Sequence, residues 1–122
     1  MRHTVSLTEN YEFRRVYGRG KSAGSGHIVV YAFPNRRKEN RLGITVSTKV
    51  GKAVIRNKVR RRLKEIYRLQ EAKILPGFDI VIVAKVKASG ADYNSLHRDF
   101  LRLGEKLAIL SKTTQAEKGP SR

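Results

Sequence analysis

Five consecutive apolar residues, Ile80-Val81-Ile82-Val83-Ala84, lie between the breakers Pro76-Gly77 and Ala88-Ser89-Gly90. No polar residue interrupts them, so neither face of the strand they form is left for water. The run predicts a central strand covered on both sides. Other segments must supply that cover. His27 to Phe33 is β-branched and aromatic and stops before Pro34, as a strand does. Leu42, Ile44 and Val46 alternate through a second strand, Arg41 to Ser47. The polar stretch between them, Asn35 to Asn40, has hairpin length, which predicts an antiparallel pair.

The remaining segments have helical period. Thr8 reads as the N-cap of a short helix in which Phe13, Val16 and Tyr17 share a face. Gly18 and Gly20 stop it, and Lys21 to Gly26 reads as a loop. From Ala53 to about Lys73, Ile55, Val59, Leu63, Ile66 and Gln70 fall on one face. Asp92 or Asn94 can cap a last helix whose seam is Leu96, Phe100, Leu103, Leu107 and Leu110, with Gly104 weakening it by roughly 1 kcal/mol relative to Ala. The order α-β-β-α-β-α, with room for a further short strand near the start, predicts an α+β fold. It would be a two-layer α/β sandwich, one central sheet with helices mainly on one face. Residues 1–111 would form one α/β domain and residues 112–122 a frayed, disordered basic tail. A sheet face left bare by the helices would be available to a ligand.

The charge says what kind of ligand. The 122 residues carry 27 Lys and Arg against 10 Asp and Glu, a net +17. At 39% hydrophobic the chain is too apolar for a disordered polycation. No apolar run approaches the roughly 18–20 residues that cross a bilayer, and the first residues lack a signal peptide's apolar stretch. With no cysteine there is no disulfide, thiolate metal site or Cys nucleophile. These features predict a soluble, cytoplasmic domain facing a polyanion, nucleic acid ahead of anionic lipid.

The charge concentrates between Arg56 and Arg68, where seven of thirteen residues are basic and one is acidic. On a helical wheel Arg56, Arg60, Lys64 and Arg68 stack at i+4 beside the apolar arc, and Asn57 and Arg61 broaden the row. Successive i+4 positions rise about 6 Å, comparable with phosphate spacing along a nucleic-acid strand. Like charges at i+4 cost a few tenths of a kcal/mol each, a penalty that a polyanion relieves. A solvated helix face would carry acids opposite the bases, and here they are nearly absent; a membrane-lying helix would show Trp and Phe, and this apolar face has none. Lys49 and Lys52, around the turn at Gly51, extend the positive surface to the helix N-terminus. The segment is not a P-loop, since GxxxxGK[ST] is missing. Tyr17 and Tyr31 suit a partly wet stacking platform, whereas Phe33 and Phe100 read as core. His3, His27 and His97 have no metal-site spacing, the carboxylates no two-metal cluster, and no Ser/His/Asp constellation is present. Residue chemistry alone describes a binder without catalytic equipment.

The stretch Ser47-Thr48-Lys49-Val50-Gly51-Lys52-Ala53-Val54-Ile55-Arg56-Asn57-Lys58-Val59-Arg60-Arg61-Arg62-Leu63-Lys64-Glu65 closely resembles the signature of the bacterial ribonuclease P protein component. The resemblance extends from about Leu7 to Leu110 and includes Phe13-Arg14-Arg15-Val16-Tyr17, Tyr31 and the strand Arg41 to Ser47. It implies an α/β sandwich with a left-handed βαβ crossover, although right-handed crossovers are the rule. It also implies an accessory subunit of an endoribonuclease that removes the 5′ leader of precursor tRNA. The catalyst would be the RNA subunit, which holds Mg²⁺. That RNA, bound 1:1, and precursor tRNA would be the partners, with no protein partner evident. Position by position, Arg56, Asn57, Arg60, Arg61 and Lys64 fall on the RNA-binding motif, with Lys49 and Lys52 along the same surface. Phe13, Tyr17 and Tyr31 fall on leader-binding positions. Thr48 stands where the family usually has Lys, Lys58 and Lys64 where Arg is common, and Tyr17 where Phe is frequent. A ribosomal protein or RNA chaperone with no processing role is the alternative reading.

Overall fold

The computed structural model describes residues 3–111, so the expected basic tail, residues 112–122, lies outside the described residues. In chain order the elements are β1 (Thr4–Ser6), α1 (Asn10–Arg19), β2 (Lys21–Gly24), β3 (Ile28–Pro34), β4 (Asn40–Val46), α2 (Ala53–Gln70), β5 (Phe78–Ala84) and α3 (Tyr93–Lys106). Short 3₁₀ turns cover Thr48–Val50, Glu71–Lys73 and Val86–Gly90. The strands form one sheet in the order β1-β4-β5-β3-β2.

The apolar strand β5 takes the centre, parallel to β4 on one side and antiparallel to β3 on the other. This corrects the expected antiparallel pairing of β3 with β4. Both edges of β5 are covered along with both faces, and the strand that cannot meet water drives its two neighbours apart. The connection from Asn35 to Glu39 therefore crosses the width of one strand, roughly 10 Å or two strand spacings, instead of turning as a hairpin. A segment of this length can do either, and the choice is made by β5, far along the chain. The parallel step from β4 to β5 is a βαβ crossover through α2.

Lys21 to Gly24, expected as loop, is an edge strand antiparallel to β3. It buries almost nothing, and its ladder with β3 holds it extended. Thr8 is not the cap of α1: the helix starts at Asn10 after Glu9, and Glu12 turns back to accept the Thr8 and Glu9 N–H groups at 3.3 and 3.1 Å.

Helices α2 and α3 pack on one face of the sheet. Leu63, Ile66, Leu96, Phe100 and Leu103 are buried there against Ile28, Val30, Ile80 and Ile82, each side chain worth roughly 1.5–3 kcal/mol. Burial along α2 begins at Val59. Ile55, expected on the buried face, is 39% exposed and Val54 79%, since the first turn of the helix lies off the core. Tyr67 widens the apolar arc instead, fully buried, with its hydroxyl 2.9 Å from Thr4 Oγ1. Gln70 is buried as expected, its Nε2 2.7 Å from His97 Nε2. Asp92 caps α3, accepting the Ser95 N–H at 2.7 Å. The helix ends at Lys106, so the seam does not continue as helix to Leu110. Ala108 turns the chain with a φ of 58°. The Ala108 and Ile109 N–H groups donate to Glu105 and Gly104 carbonyls, each at 3.1 Å, the two bonds of a Schellman stop. The reversed chain buries Ile109 and bridges Leu110 to Ile74.

Candidate nucleic-acid interface

On the opposite face, three cross-strand rows form a floor: Phe33-Asp79-Arg41, Tyr31-Val81-Gly43 and Val29-Val83-Thr45. Helix α1 lies across part of it, burying Val16 against Val81, and leaves the rest open. Two neighbours of Val16, Phe13 and Tyr17, stand one turn apart on the same flank. Phe13 rests on Gly43: a Cβ there would sit 2.4 Å from its ring, so only glycine lets the aromatic come this close to the strand. Tyr17 meets Tyr31 edge to face at 5.0 Å, and its hydroxyl lies 3.0 Å from Thr45 Oγ1. Phe13 follows, tilted, 6.4 Å from Tyr17. The three expected aromatics therefore form one partly exposed cluster, with Tyr17 39% exposed.

A buried ion network fixes the helix that carries them. Arg41 donates Nε and Nη2 to the two oxygens of Asp79 at 2.8 and 2.7 Å and Nη1 to Glu12. Asn35 adds a bond to Asp79 at 2.9 Å, and Arg15 approaches it at 3.7 Å. Asp79 is fully buried. Burial pushes its carboxyl up, but hydrogen bonds from Arg41 and Asn35 and the charges of Arg41 and Arg15 outweigh this and hold it below the ordinary value. Glu12 is lowered by the Glu9 N–H bond first, against burial, with Thr8 and Arg41 adding to it. A charge pair this deep holds its geometry tightly, because separating either partner leaves the other unpaired. Glu12 and Arg15 belong to α1, so the network sets where Phe13 and Tyr17 stand.

The basic row of α2 approaches the same region from its own side. Arg60 and Lys64 line a groove of about 390 Å³ together with Phe13, Gly43, Ile44 and Ser6. Strand β1 stops at Ser6, pairing only as far as Leu42, so the outer edge of β4 is open beyond that point. The expected aromatic and cationic residues thus meet across one opening. Arg56 heads the row, its Nε donating to the Gly51 carbonyl at 3.1 Å. Gly51 has a φ of 154°, which a side chain rarely adopts, and a Cβ there would press on Ile55 at 3.1–3.2 Å. The turn it permits sets exposed Lys49 and Lys52 beside the helix start, whose first turn holds no acid. Asn57 accepts from Arg60 at 3.2 Å, and Arg61 is exposed. Arg68 differs from its row: Glu65 holds its Nε and Nη2 at 2.9 and 2.6 Å.

Three contributors were missing from the sequence reading. Gly43 makes the floor and Thr45 holds the Tyr17 hydroxyl. Arg62 is tied to the Ala91 carbonyl at 3.1 Å, binding α2 to the start of α3. A glycine amid β-branched residues marks close backbone approach, and that signal was present at Gly43. Among the described residues no three His, Asp or Glu side chains gather to hold a metal ion. His27 is half-buried against Asp99 at 2.8 Å, tying the β2–β3 turn to α3. Among the same residues no helix is long and apolar enough to cross a membrane.

Known proteins resemble this chain in sequence and fold. The Ribonuclease P family model matches residues 1–108. The ribonuclease P protein component of Natranaerobius thermophilus is 39% identical over 112 residues, 92% of this chain and 97% of that one. Its counterpart from Clostridioides difficile is 41% identical over 107 residues, 87% of this chain and 94% of that one. The solved RNase P protein of Staphylococcus aureus superposes with a TM-score of 0.80 at 28% identity, covering 87% of this chain and 97% of that one. That of Thermotoga maritima gives 0.73 at 34% identity, covering 80% and 92%.

Proposed function

This chain belongs to the ribonuclease P protein family, and from that premise we propose that it holds the catalytic RNA on α2 and the precursor-tRNA leader on the aromatic face beside α1. It is a tRNA-processing subunit, part of an endoribonuclease complex whose RNA partners are the ribonuclease P RNA and precursor tRNA. A ribosomal protein or free RNA chaperone is not favoured.

The observation that carries the proposal is the groove shared by Phe13 with Arg60 and Lys64. A strand lying on Phe13, Tyr17 and Tyr31 stacks without regard to base identity, which suits leaders of varied sequence. Where it passes Phe13 it comes alongside cations whose row continues along α2 through Arg56, Asn57 and Arg61. Lys49 and Lys52 extend that row at its head. The chain thus bridges two RNAs, one copy per ribonuclease P RNA, and orients the substrate strand against the catalyst. Arg68 contributes least, because Glu65 already neutralises it.

We assign hydrolysis to the RNA subunit. In this reading Mg²⁺ is held by RNA phosphates, and the side chains here bind and position. The setting is the cytoplasm, where precursor tRNA is processed.

The absence of native cysteine allows a direct test. Ser6→Cys, exposed in the groove, takes a photo-crosslinker at one defined place. In the reconstituted complex it is expected to join leader nucleotides near the cleavage site. Crosslinks confined to the mature tRNA body would refute the placement.

A further inference from the structure

Helix α1 has two flanks, and the reading above uses one. Arg15 and Arg19 stand one turn apart on the other flank, facing the end of β3 and the connection that crosses to β4. There a groove of about 360 Å³ is lined by Arg15, Arg19, Phe33, Pro34, Asn35 and Arg36. Three of these are arginines, and none is an acid. The Arg15 guanidinium lies 5.7 Å from the centre of the Phe33 ring. Its nearby carboxylate, Asp79, is fully buried and already clasped by Arg41. Arg15 Nε is itself buried without a hydrogen-bond partner, so the site is incompletely satisfied as it stands.

Arg36 is placed against the grain of its backbone. Its φ is 61°, in the left-handed region that Gly or Asn adopts at lower cost. Asn35 enforces the turn: its side-chain carbonyl accepts the Arg37 N–H at 2.8 Å, and its amide donates to Asp79 and to the Glu39 carbonyl. A turn built this firmly, with a long cation at its strained position, is the pattern expected where the cation has work outside the fold.

We propose that this groove is a second RNA site, taking one backbone phosphate between Arg19 and Arg36 with the adjoining base against the Arg15–Phe33 pair. A guanidinium plane beside an aromatic ring is a platform for an unpaired base, and neighbouring arginines supply what a phosphate needs. The identity of the polyanion rests on the function proposed above. The strand is either a second stretch of the ribonuclease P RNA or the far end of a long leader.

The test uses the full chain with Arg19→Ala and Arg36→Asn. Arg19 is exposed, and Asn is at home at a positive φ, so neither change should lower the melting temperature. Salt-dependent affinity is measured for bacterial ribonuclease P RNA alone, and for precursor tRNA with short and long leaders bound to the reconstituted complex. Each variant is expected to reduce the slope of log K against log salt by about 0.7–0.9. If the RNA-alone slope falls, the site takes the ribozyme; if only the long-leader slope falls, it takes the leader. Unchanged slopes in every arm, while Arg60→Ala still reduces the slope, would overturn this site and leave the α2 interface standing. Failure of the wild-type chain to bind the ribonuclease P RNA at all would instead overturn the function itself.

Discussion

Gly43→Ala tests the link between backbone and leader binding. The new Cβ would stand 2.4 Å from Phe13 Cε1 and 2.6 Å from Cζ. Ordinary carbon contacts begin near 3.5 Å, so the ring must retreat by about 1 Å. Overpacking of this kind costs roughly 1–3 kcal/mol, and the half-buried ring can lift outward, which puts the stability loss at the lower end. Leader binding bears the larger consequence, since stacking is worth roughly 1–3 kcal/mol per base. Precursor affinity should therefore fall at least about fivefold. The assay is equilibrium binding of precursor and mature tRNA to the complex reconstituted with bacterial ribonuclease P RNA, where the ratio isolates the leader. Both changes act through one ring, so Gly43→Ala added to Phe13→Ala should cost leader affinity nothing further. Losses that add, or equal losses for mature tRNA, would refute the reasoning.

Arg41→Met removes the cation from two buried carboxylates and should cost about 3–5 kcal/mol near neutral pH. Glu12 and Asp79 titrate below their ordinary values in the folded chain, so their contribution is complete above the usual carboxylate range and is lost as pH falls through the folded values. The stability gap between wild type and variant should accordingly narrow below about pH 4, and a gap constant with pH would contradict the network's role. Ala108→Gly should raise stability by about 1 kcal/mol in chemical denaturation, because the helix stop holds a non-glycine residue at φ 58°. Arg60→Ala and Lys64→Ala should each lower the salt slope of ribonuclease P RNA binding by roughly 0.7–0.9. Arg68→Ala should change it far less, Glu65 being its partner already.

Much of this architecture can be read locally. The period of α2 and α3, the Asp92 cap and the apolar centre of β5 follow from residues within a few positions of one another. What escapes local reading depends on partners far along the chain. Lys21 to Gly24 has no apolar alternation and is extended only because β3 pairs with it. The separation of β3 from β4 is decided by β5, after an entire helix has intervened. The network that sets α1 joins Arg41 to Glu12, 29 residues before it, and to Asp79, 38 residues after it. The basic row needed only the helical wheel, which also sets Glu65 beside Arg68 at i+3, yet the wheel could not show Arg60 meeting Phe13 across a groove. That is a fact of packing, and Gly43 was its one visible trace.

The central claim is that this subunit binds and positions while RNA cleaves. Precursor tRNA incubated with bacterial ribonuclease P RNA at low Mg²⁺, with and without this chain, tests it most directly. The account predicts that the chain strongly enhances cleavage at the mature 5′ end and that the chain without the RNA cleaves nothing. No enhancement, or cleavage by the chain alone, would contradict it.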